Sequence, residues 1–376
     1  MKRRVLHVID SLDLGGAQTF LLDLVKHHDR FRYLPEVAAM HGRGIYAPAF
    51  EEAGIPIHSL SPGKFPPLYV PNFLRLMREG KYDILHFHLF GANLCAKPLA
   101  ILAGHRGIIV HDQCNDASRD QSPALLVADA LANRGASRVI AVSESVRRYL
   151  MAHEDLAESK VEMIPNGIDA SMFSPANELE RAGARENWGI PAKAFVVGGV
   201  GRLVAQKNFG VFLRVAAQIL AGHPGVIFVI AGTGPQEEKL RDEADALGIS
   251  ANIRFLGHVS DRVRLYQALD ALLMTSDFEG TPMTLLEALA SGLPVVASSV
   301  DGIAEVCTDG RDALLAPPRD VEKFTTALDK VIQGGGLRLQ LGAKARETIL
   351  ERYEISGLTR KIEAIYDEVL SEQAAS

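Results

Sequence analysis

The feature that most constrains this chain is a rhythm that runs twice. Short apolar runs alternate with longer amphipathic ones from residue 5 to residue 164, break off, and resume from residue 195 to residue 315. The first series places candidate strands at 5–9, 35–40, 57–60, 84–87, 107–111, 139–143 and 161–164. The second places them at 195–200, 226–231, 253–256, 271–274, 295–298 and 313–315. Helical patterns lie between, for example at 17–28, 73–78 and 124–133. Strands that alternate with helices of this length imply βαβ units and a parallel sheet. The break carries Pro165-Asn166-Gly167, which is turn chemistry, and then a polar stretch at 171–191 with Pro175, Gly183 and Gly189. That stretch reads as a linker. The expected organisation is an α/β domain at 1–170, a linker at 171–191, a second α/β domain at 192–355 and a helical tail at 356–376. A chain of 376 residues suits two domains at roughly 100–200 residues each. No period of about 20–50 residues repeats, which argues against a solenoid.

Composition narrows the class. With 47% hydrophobic and 23% charged residues the chain has the balance of a globular protein with apolar material for two cores. A formal net charge of −6 argues against a nucleic-acid partner. Basic and acidic residues balance over 1–170, and the deficit falls in the second half, so any contact with an anionic membrane surface is expected from the first domain. There the segment Lys64-Phe65-Pro66-Pro67-Leu68-Tyr69, followed by Arg75 and Arg78, suits either a lipid contact or a solvated loop. Cys95, Cys114 and Cys307 are odd in number and widely spaced, which fits a reducing compartment rather than a disulfide framework. The first apolar run stops at Asp10, short of a secretory signal, and no run is long enough to span a bilayer. The expected location is cytoplasmic, with a peripheral contact at the inner membrane face left open.

Ligands of open α/β sheets sit beyond the C-terminal ends of the strands, so the residues that follow each strand are the candidates. After the first strand comes Asp13-Leu14-Gly15-Gly16-Ala17-Gln18, opening a helix. Two glycines allow close approach to the backbone, and free N–H groups at a helix start favour a phosphate. A plain loop would look the same. The dinucleotide fingerprint G-x-G-x-x-G is absent here, against a dehydrogenase. The second series opens with Gly199-Val200-Gly201-Arg202-Leu203 and then Lys207-Asn208. Arg202 and Lys207 suit a diphosphate clamp, the one as a planar fork and the other as a point charge, although two surface cations would give the same letters. The longest local signal is Asp277-Phe278-Glu279-Gly280-Thr281-Pro282-Met283-Thr284-Leu285-Leu286-Glu287-Ala288. Pro282 suits the first turn of a helix, leaving N–H groups free from about Met283 to Leu285. Glu279 and Glu287 flank that helix start and could receive hydroxyls of a sugar and a ribose, or serve as a helix-dipole acid and a half-buried helix acid. Asp277-x-Glu279 has the look of a metal pair, but no Asp-x-Asp occurs and no metal is assigned. His86 and His88, two apart on a strand, share a face. With His105 and His111 they raise the question of zinc, but no i,i+4 pair and no acid ligand accompanies them, so structural or hydrogen-bonding roles are expected. His111 with Cys114 lacks an orienting third member for nucleophilic catalysis.

Taken in order, these residues and their neighbours resemble the retaining glycosyltransferases of family 4. The match includes Gly15-Gly16-Ala17-Gln18, Asp83-Ile84-Leu85-His86-Phe87-His88, His111 and Ala141-Val142-Ser143-Glu144-Ser145. It continues through Ile164-Pro165-Asn166-Gly167-Ile168-Asp169, Gly201-Arg202 with Lys207-Asn208, Ala231-Gly232-Thr233-Gly234-Pro235 and Phe255-Leu256-Gly257-His258-Val259. It closes with the E-x7-E pair Glu279 and Glu287 and with Ala288-Leu289-Ala290-Ser291-Gly292-Leu293-Pro294-Val295-Val296. The resemblance implies the GT-B fold: two Rossmann-like, doubly wound parallel-sheet domains facing each other across a cleft, with the last helix crossing back to the first domain. It implies a nucleotide-sugar donor, UDP-linked by preference, and a glycan or lipid-linked acceptor in cell-surface polysaccharide synthesis, with no cofactor and no metal. Arg202, Lys207 and the Gly16 backbone would bind the diphosphate, Glu287 the ribose, and His258 and Val259 the base. Glu279 would hold the transferred sugar together with the backbone of Gly280, Thr281, Pro282, Met283, Thr284 and Leu285. His111 would contact the sugar near the reacting carbon. Many members carry Phe-Gly where this chain has Thr281-Pro282, a variant familiar among envelope-polysaccharide enzymes. Two other readings use the same fold, a nucleotide-sugar epimerase and a non-catalytic nucleotide-sugar-binding relative.

Overall fold

The computed structural model of the chain describes residues 2–61, 69–113, 123–154 and 156–375. It divides into two compact units, Met1–Gly167 with Ile355–Ser376, and Ile168–Glu354.

The first unit is built on seven parallel strands: β1 (Arg3–Ile9), β2 (Tyr33–Ala39), β3 (Ile57–Ser59), β4 (Ile84–His88), β5 (Ile108–Asp112), β6 (Arg138–Ala141) and β7 (Val161–Met163). Their order is β3-β2-β1-β4-β5-β6-β7, so the chain starts inside the sheet, winds to one edge, returns and winds to the other. Helices carry the crossovers that parallel neighbours require. Buried on both faces, the inner strands read as largely apolar runs, and every residue of β1 from Val5 onward is buried. On one face Leu6, Val8, Leu85, Phe87 and Val110 pack with Phe73, Ala92 and Ala100.

The opposite face is built differently. The register sets His7 beside His86, and His88 beside both Ile9 and His111. Paired residues of a parallel sheet, and residues two apart on a strand, share a face, so four histidines line one side. His28, just beyond the helix Gly16–His27, joins them, and all five imidazoles are buried. The last helix, Ile355–Ala375, brings Glu363 and Tyr366 onto this face. A chain of hydrogen bonds runs from Glu363 to His28 (3.0 Å), from His28 to His7 (3.3 Å) and from His7 to His88 (3.1 Å). With Glu363 ionised, one proton per ring satisfies that chain. The His86 Nδ1 meets the Tyr366 hydroxyl at 2.7 Å. Tyr33 donates to Asp367 at 2.6 Å, and Arg138 donates to Glu372 at 3.2 Å, which fastens the last helix along its length.

The second unit has six parallel strands: β8 (Val196–Val200), β9 (Ile227–Ala231), β10 (Ile253–Gly257), β11 (Ala271–Met274), β12 (Val295–Ser298) and β13 (Leu314–Ala316). Their order is β10-β9-β8-β11-β12-β13, again doubly wound from the middle. The stretch 171–191, expected as a linker, carries the helix Glu178–Glu186 and lies within this unit. Asn177 and Glu180 form a reciprocal capping box at its start, with both bonds at 2.9 Å. Arg181 and Arg185 both reach Asp270 (2.5 and 2.6 Å), whose carboxylate also receives the Val196 N–H at 2.7 Å. The helix is held by ionic contacts rather than an apolar stripe, which is why its composition resembles a connector. A smaller departure concerns β6, which stops at Ala141 because the Ser143 hydroxyl accepts the Val146 N–H (3.2 Å) and caps the next helix.

The segment Lys64-Phe65-Pro66-Pro67-Leu68 and Cys114 lie outside the described residues, while Arg75 and Arg78 are exposed on the helix Tyr69–Gly80. Cys95 and Cys307 are free thiols. No helix among the described residues is long and apolar enough to cross a membrane.

The histidine face has a consequence for pH. Burial drives His7, His86 and His88 well below the ordinary imidazole value and brings His111 down to about 3. It lowers His28 too, against the pull of Glu363 and with the push of Arg30. In the unfolded chain these groups protonate near pH ~6.5, whereas the folded unit keeps them neutral. Stability is therefore lost as pH falls below that point, by about 1.4 kcal/mol per pH unit for each imidazole kept neutral. For His111 the loss ends near pH 3. Calorimetric unfolding from pH 8 to pH 5 is expected to show a falling Tm, with a shallower slope in His88→Gln. A flat profile would contradict this account.

Candidate functional site

The two doubly wound sheets each have a place where the strand order reverses, and ligands of such sheets bind beyond the strand ends there. In the second unit that place lies between β8 and β11. The loop leaving β8 carries Gly201 to Asn208, and the loop leaving β11 carries Thr275 to Pro282. Backbone and side chains stitch the two together. The Thr275 hydroxyl donates to the Lys207 and Asn208 carbonyls (3.2 and 3.0 Å), and the Asp277 N–H donates to the Gln206 carbonyl at 2.8 Å. The Gln206 side-chain amide returns to the Phe278 carbonyl at 2.9 Å. The Lys207 ammonium then pairs with the Glu279 carboxylate, which also receives the Ser276 hydroxyl at 2.6 Å.

Glu279 is 7% exposed, and those two partners take the place of the water its carboxylate would otherwise bind. Asp277, the other acid of the suggestive pair, is held separately. It accepts from the Asn208 amide at 2.9 Å and from Arg319 at 3.0 and 2.8 Å, and these contacts hold its carboxyl below the usual range. The two acids thus serve different cations. The loop after Glu279 is fixed by the short helix Asp301–Val306. A Cβ on Gly302 would lie 1.6 Å from the Gly280 carbonyl oxygen, and the Gly302 N–H donates to the Glu279 carbonyl at 3.2 Å. Only glycine permits that approach.

The helix Met283–Ala290 starts one residue later than the sequence suggested. Pro282 is its N-cap, with extended backbone (φ −74°, ψ 123°), rather than part of its first turn. The Pro282 carbonyl accepts the N–H groups of Leu285 and Leu286 (3.1 and 3.3 Å), so the Leu285 N–H expected to be free is bonded. Met283 and Thr284 precede the intrahelical ladder. Glu287, 3% exposed on this helix, pairs with Arg262 and accepts from the Tyr266 hydroxyl at 2.8 Å. Burial beside that carboxylate raises the Tyr266 phenol well above its ordinary value, so it remains a donor. Arg202 is exposed and has no ion-pair partner among the described residues. His258 (exposed) and Val259 (half-buried) follow β10, two strands from β8.

In the first unit the reversal lies between β1 and β4. Asp10 at the end of β1 accepts the N–H groups of Gly91 (3.2 Å) and Ala92 and so caps the helix Phe90–Cys95. Gly16 is exposed as the first residue of the helix Gly16–His27. His111, in β5, is buried with its ring edge-on to Phe20 (5.1 Å between centroids) and stacked on His86 (5.4 Å). Neither of its nitrogens has a partner among the described residues.

Lys207, Glu279, Gly280 and the start of the helix Met283–Ala290 are thus brought together around one strand reversal. Arg262, Tyr266, Ser276 and Arg319 complete that surrounding, and the sequence reading named none of them. Arg262 and Tyr266 carry no local signal, because what selects them is proximity to Glu287 from another helix.

A family model for Glycosyltransferase Family 4 matches residues 14–172, and one for Glycosyl transferases group 1 matches residues 180–348. The chain belongs to glycosyltransferase family 4. The phosphatidyl-myo-inositol mannosyltransferase of Mycolicibacterium smegmatis is 29% identical, over 94% of this chain and 90% of its own. The UDP-Gal:alpha-D-GlcNAc-diphosphoundecaprenol alpha-1,3-galactosyltransferase of Escherichia coli is 26% identical, over 78% and 77%. The crystal structure of Anabaena HepE in complex with UDP-glucose has a TM-score of 0.87 at 23% identity, over 97% of this chain and 99% of HepE, a likeness of fold. The architecture of this glycosyltransferase is accordingly GT-B.

Removing the cation from buried Glu287 tests the energetics of the site. Arg262→Ala is expected to destabilise the second unit by about 3 kcal/mol, since an uncompensated buried charge costs that much. Urea unfolding measures it, and a change below about 1 kcal/mol, the range of exposed pairs, would show the pair to be solvated.

Proposed function

We propose that this glycosyltransferase transfers a hexose or N-acetylhexosamine from a UDP-sugar to a hydroxyl of a glycan or lipid-linked saccharide, with retention of configuration and without a metal. The observation that carries the reading is the pairing of Lys207 with buried Glu279 at the strand reversal, beside a helix N-terminus. On this reading Lys207 and Arg202 take the donor diphosphate, together with the Gly16 backbone. Both cations offset the charge that builds on the departing group. Glu279 receives hydroxyls of the sugar, with the backbone of Gly280, Thr281, Pro282, Met283, Thr284 and Leu285 alongside. Glu287 receives the ribose, either joining or displacing its bond to Arg262, and His258 and Val259 lie against the base. Neutral His111 contributes a hydrogen bond near the reacting carbon.

The step itself forms a bond from the acceptor oxygen to the anomeric carbon as the bond to the diphosphate oxygen breaks. The acceptor proton passes to the leaving diphosphate on the same face, which retains configuration without a protein nucleophile. Support for the donor comes from HepE, described with UDP-glucose, and from the galactosyltransferase relative, named for UDP-Gal. Support for a lipid-linked acceptor comes from two relatives named for lipid-borne acceptors; on this reading the acceptor is met at the inner membrane face in cell-surface polysaccharide synthesis.

Calorimetry with UDP, GDP and ADP in EDTA is the direct test, with UDP expected to bind. Lys207→Ala should weaken UDP about tenfold or more, the scale of a charge-assisted contact. Unchanged affinity would remove the clamp. Glu279→Ala should lose transfer by at least about a hundredfold, the scale of one preorganised transition-state contact, with thermal unfolding still cooperative. Isomerisation of a UDP-sugar without acceptor would instead identify an epimerase.

A further inference from the structure

We propose that His7, His86 and His88 form a transition-metal site in the first unit, taking one Zn2+-class ion through three imidazoles. One ring nitrogen of each lies within 4.8 Å of the others, and all three side chains are buried. A tetrahedral zinc site with bonds of about 2.0–2.1 Å spaces its ligand nitrogens about 3.3 Å apart. His7 Nδ1 and His88 Nε2 are already 3.1 Å apart, so modest ring movement closes the set.

Two of the rings are anchored from outside, as metal-binding histidines usually are. His86 Nδ1 is held by the Tyr366 hydroxyl, and its Nε2 is buried without a partner among the described residues. His7 Nε2 is held by His28, which is held in turn by Glu363. That carboxylate supplies negative charge two rings removed from the ion. His88 Nδ1 is also without a partner among the described residues. It can carry the ring's single proton while Nε2 binds, so no net proton need be expelled. Of the three ligating nitrogens His86 Nε2 has a buried lone pair with nothing to accept, which is costly, and an ion occupies it. Neutral imidazoles suit Zn2+, Cu2+ and Ni2+ rather than Mg2+ or Ca2+. An ion here joins β1 to β4 and, through Tyr366 and Glu363, both to the last helix. The usual sequence signal, two histidines one helical turn apart, is missing because strand register does the work. The proposal rests on these three rings and not on the proposed reaction, although His111 stacks on His86 at 5.4 Å.

The test uses the full chain, stripped with a chelator, dialysed, and titrated with Zn2+ by calorimetry with metal counted by mass spectrometry. One equivalent is expected, with a Tm raised by several degrees and X-ray absorption showing imidazole nitrogens at about 2.0–2.1 Å. His86→Gln and His88→Gln should each lose the equivalent while unfolding cooperatively in chelator. Less than stoichiometric binding by the wild type, thiolate or carboxylate scattering, or full binding by either variant would overturn the proposal. Should a variant not fold, the wild-type absorption spectrum decides alone.

Discussion

A parallel sheet wound outward from its middle has two adjacent strands whose connections leave in opposite directions, and the space beyond their ends is left uncovered by the crossovers. Both units of this chain are built that way. In the second unit the two strands are β8 and β11, and the residues of chemical interest follow from that adjacency. Lys207 and Glu279 are 72 positions apart in the chain and meet because the strands that launch their loops are neighbours. The loops do not meet by side chains alone. Bonds from Thr275, Asp277 and Gln206 to backbone fix their spacing before any ligand is considered.

Glu279 and Glu287 are buried and Asp277 is half-buried, and a buried charge persists only with a partner. Glu279 has Lys207 and Ser276, Glu287 has Arg262 and Tyr266, and Asp277 has Asn208 and Arg319. Such pairs contribute less to stability than to keeping side chains in place. On the proposed reading the carboxylate of Glu279 holds the Lys207 ammonium where a diphosphate will need it. The cation then does not have to be assembled at the moment of binding, and little reorganisation is required.

The first unit shows the converse arrangement, with polar rings buried where no net charge is needed. Glu363 orients His28, His28 orients His7, and His7 orients His88, each ring spending its one proton in one direction. The chain of bonds also fastens the last helix, since Glu363 and Tyr366 both belong to it. A helix from the end of the sequence thus completes the face of a sheet begun at its start.

Much of the architecture was legible in the order of residues. Strand runs such as 271–274 and 295–298 agree with β11 and β12 residue for residue, because strands covered on both faces are largely apolar. The stretch 171–191 misled because its helix is ionic, and the start of the helix Met283–Ala290 misled by one residue because Pro282 stands outside it. Gly201-Arg202, Lys207 and Glu279 could be named from their place after strands. By itself the sequence determined which segments are strands, which loops follow them and which family the chain resembles, since period and spacing are local properties. Only the tertiary structure decided that Arg262 and Tyr266 secure Glu287, and that His7 stands among His28, His86, His88 and His111. Those partnerships are set by strand order, register and helix packing, which join residues far apart in the chain and leave no periodic trace within it.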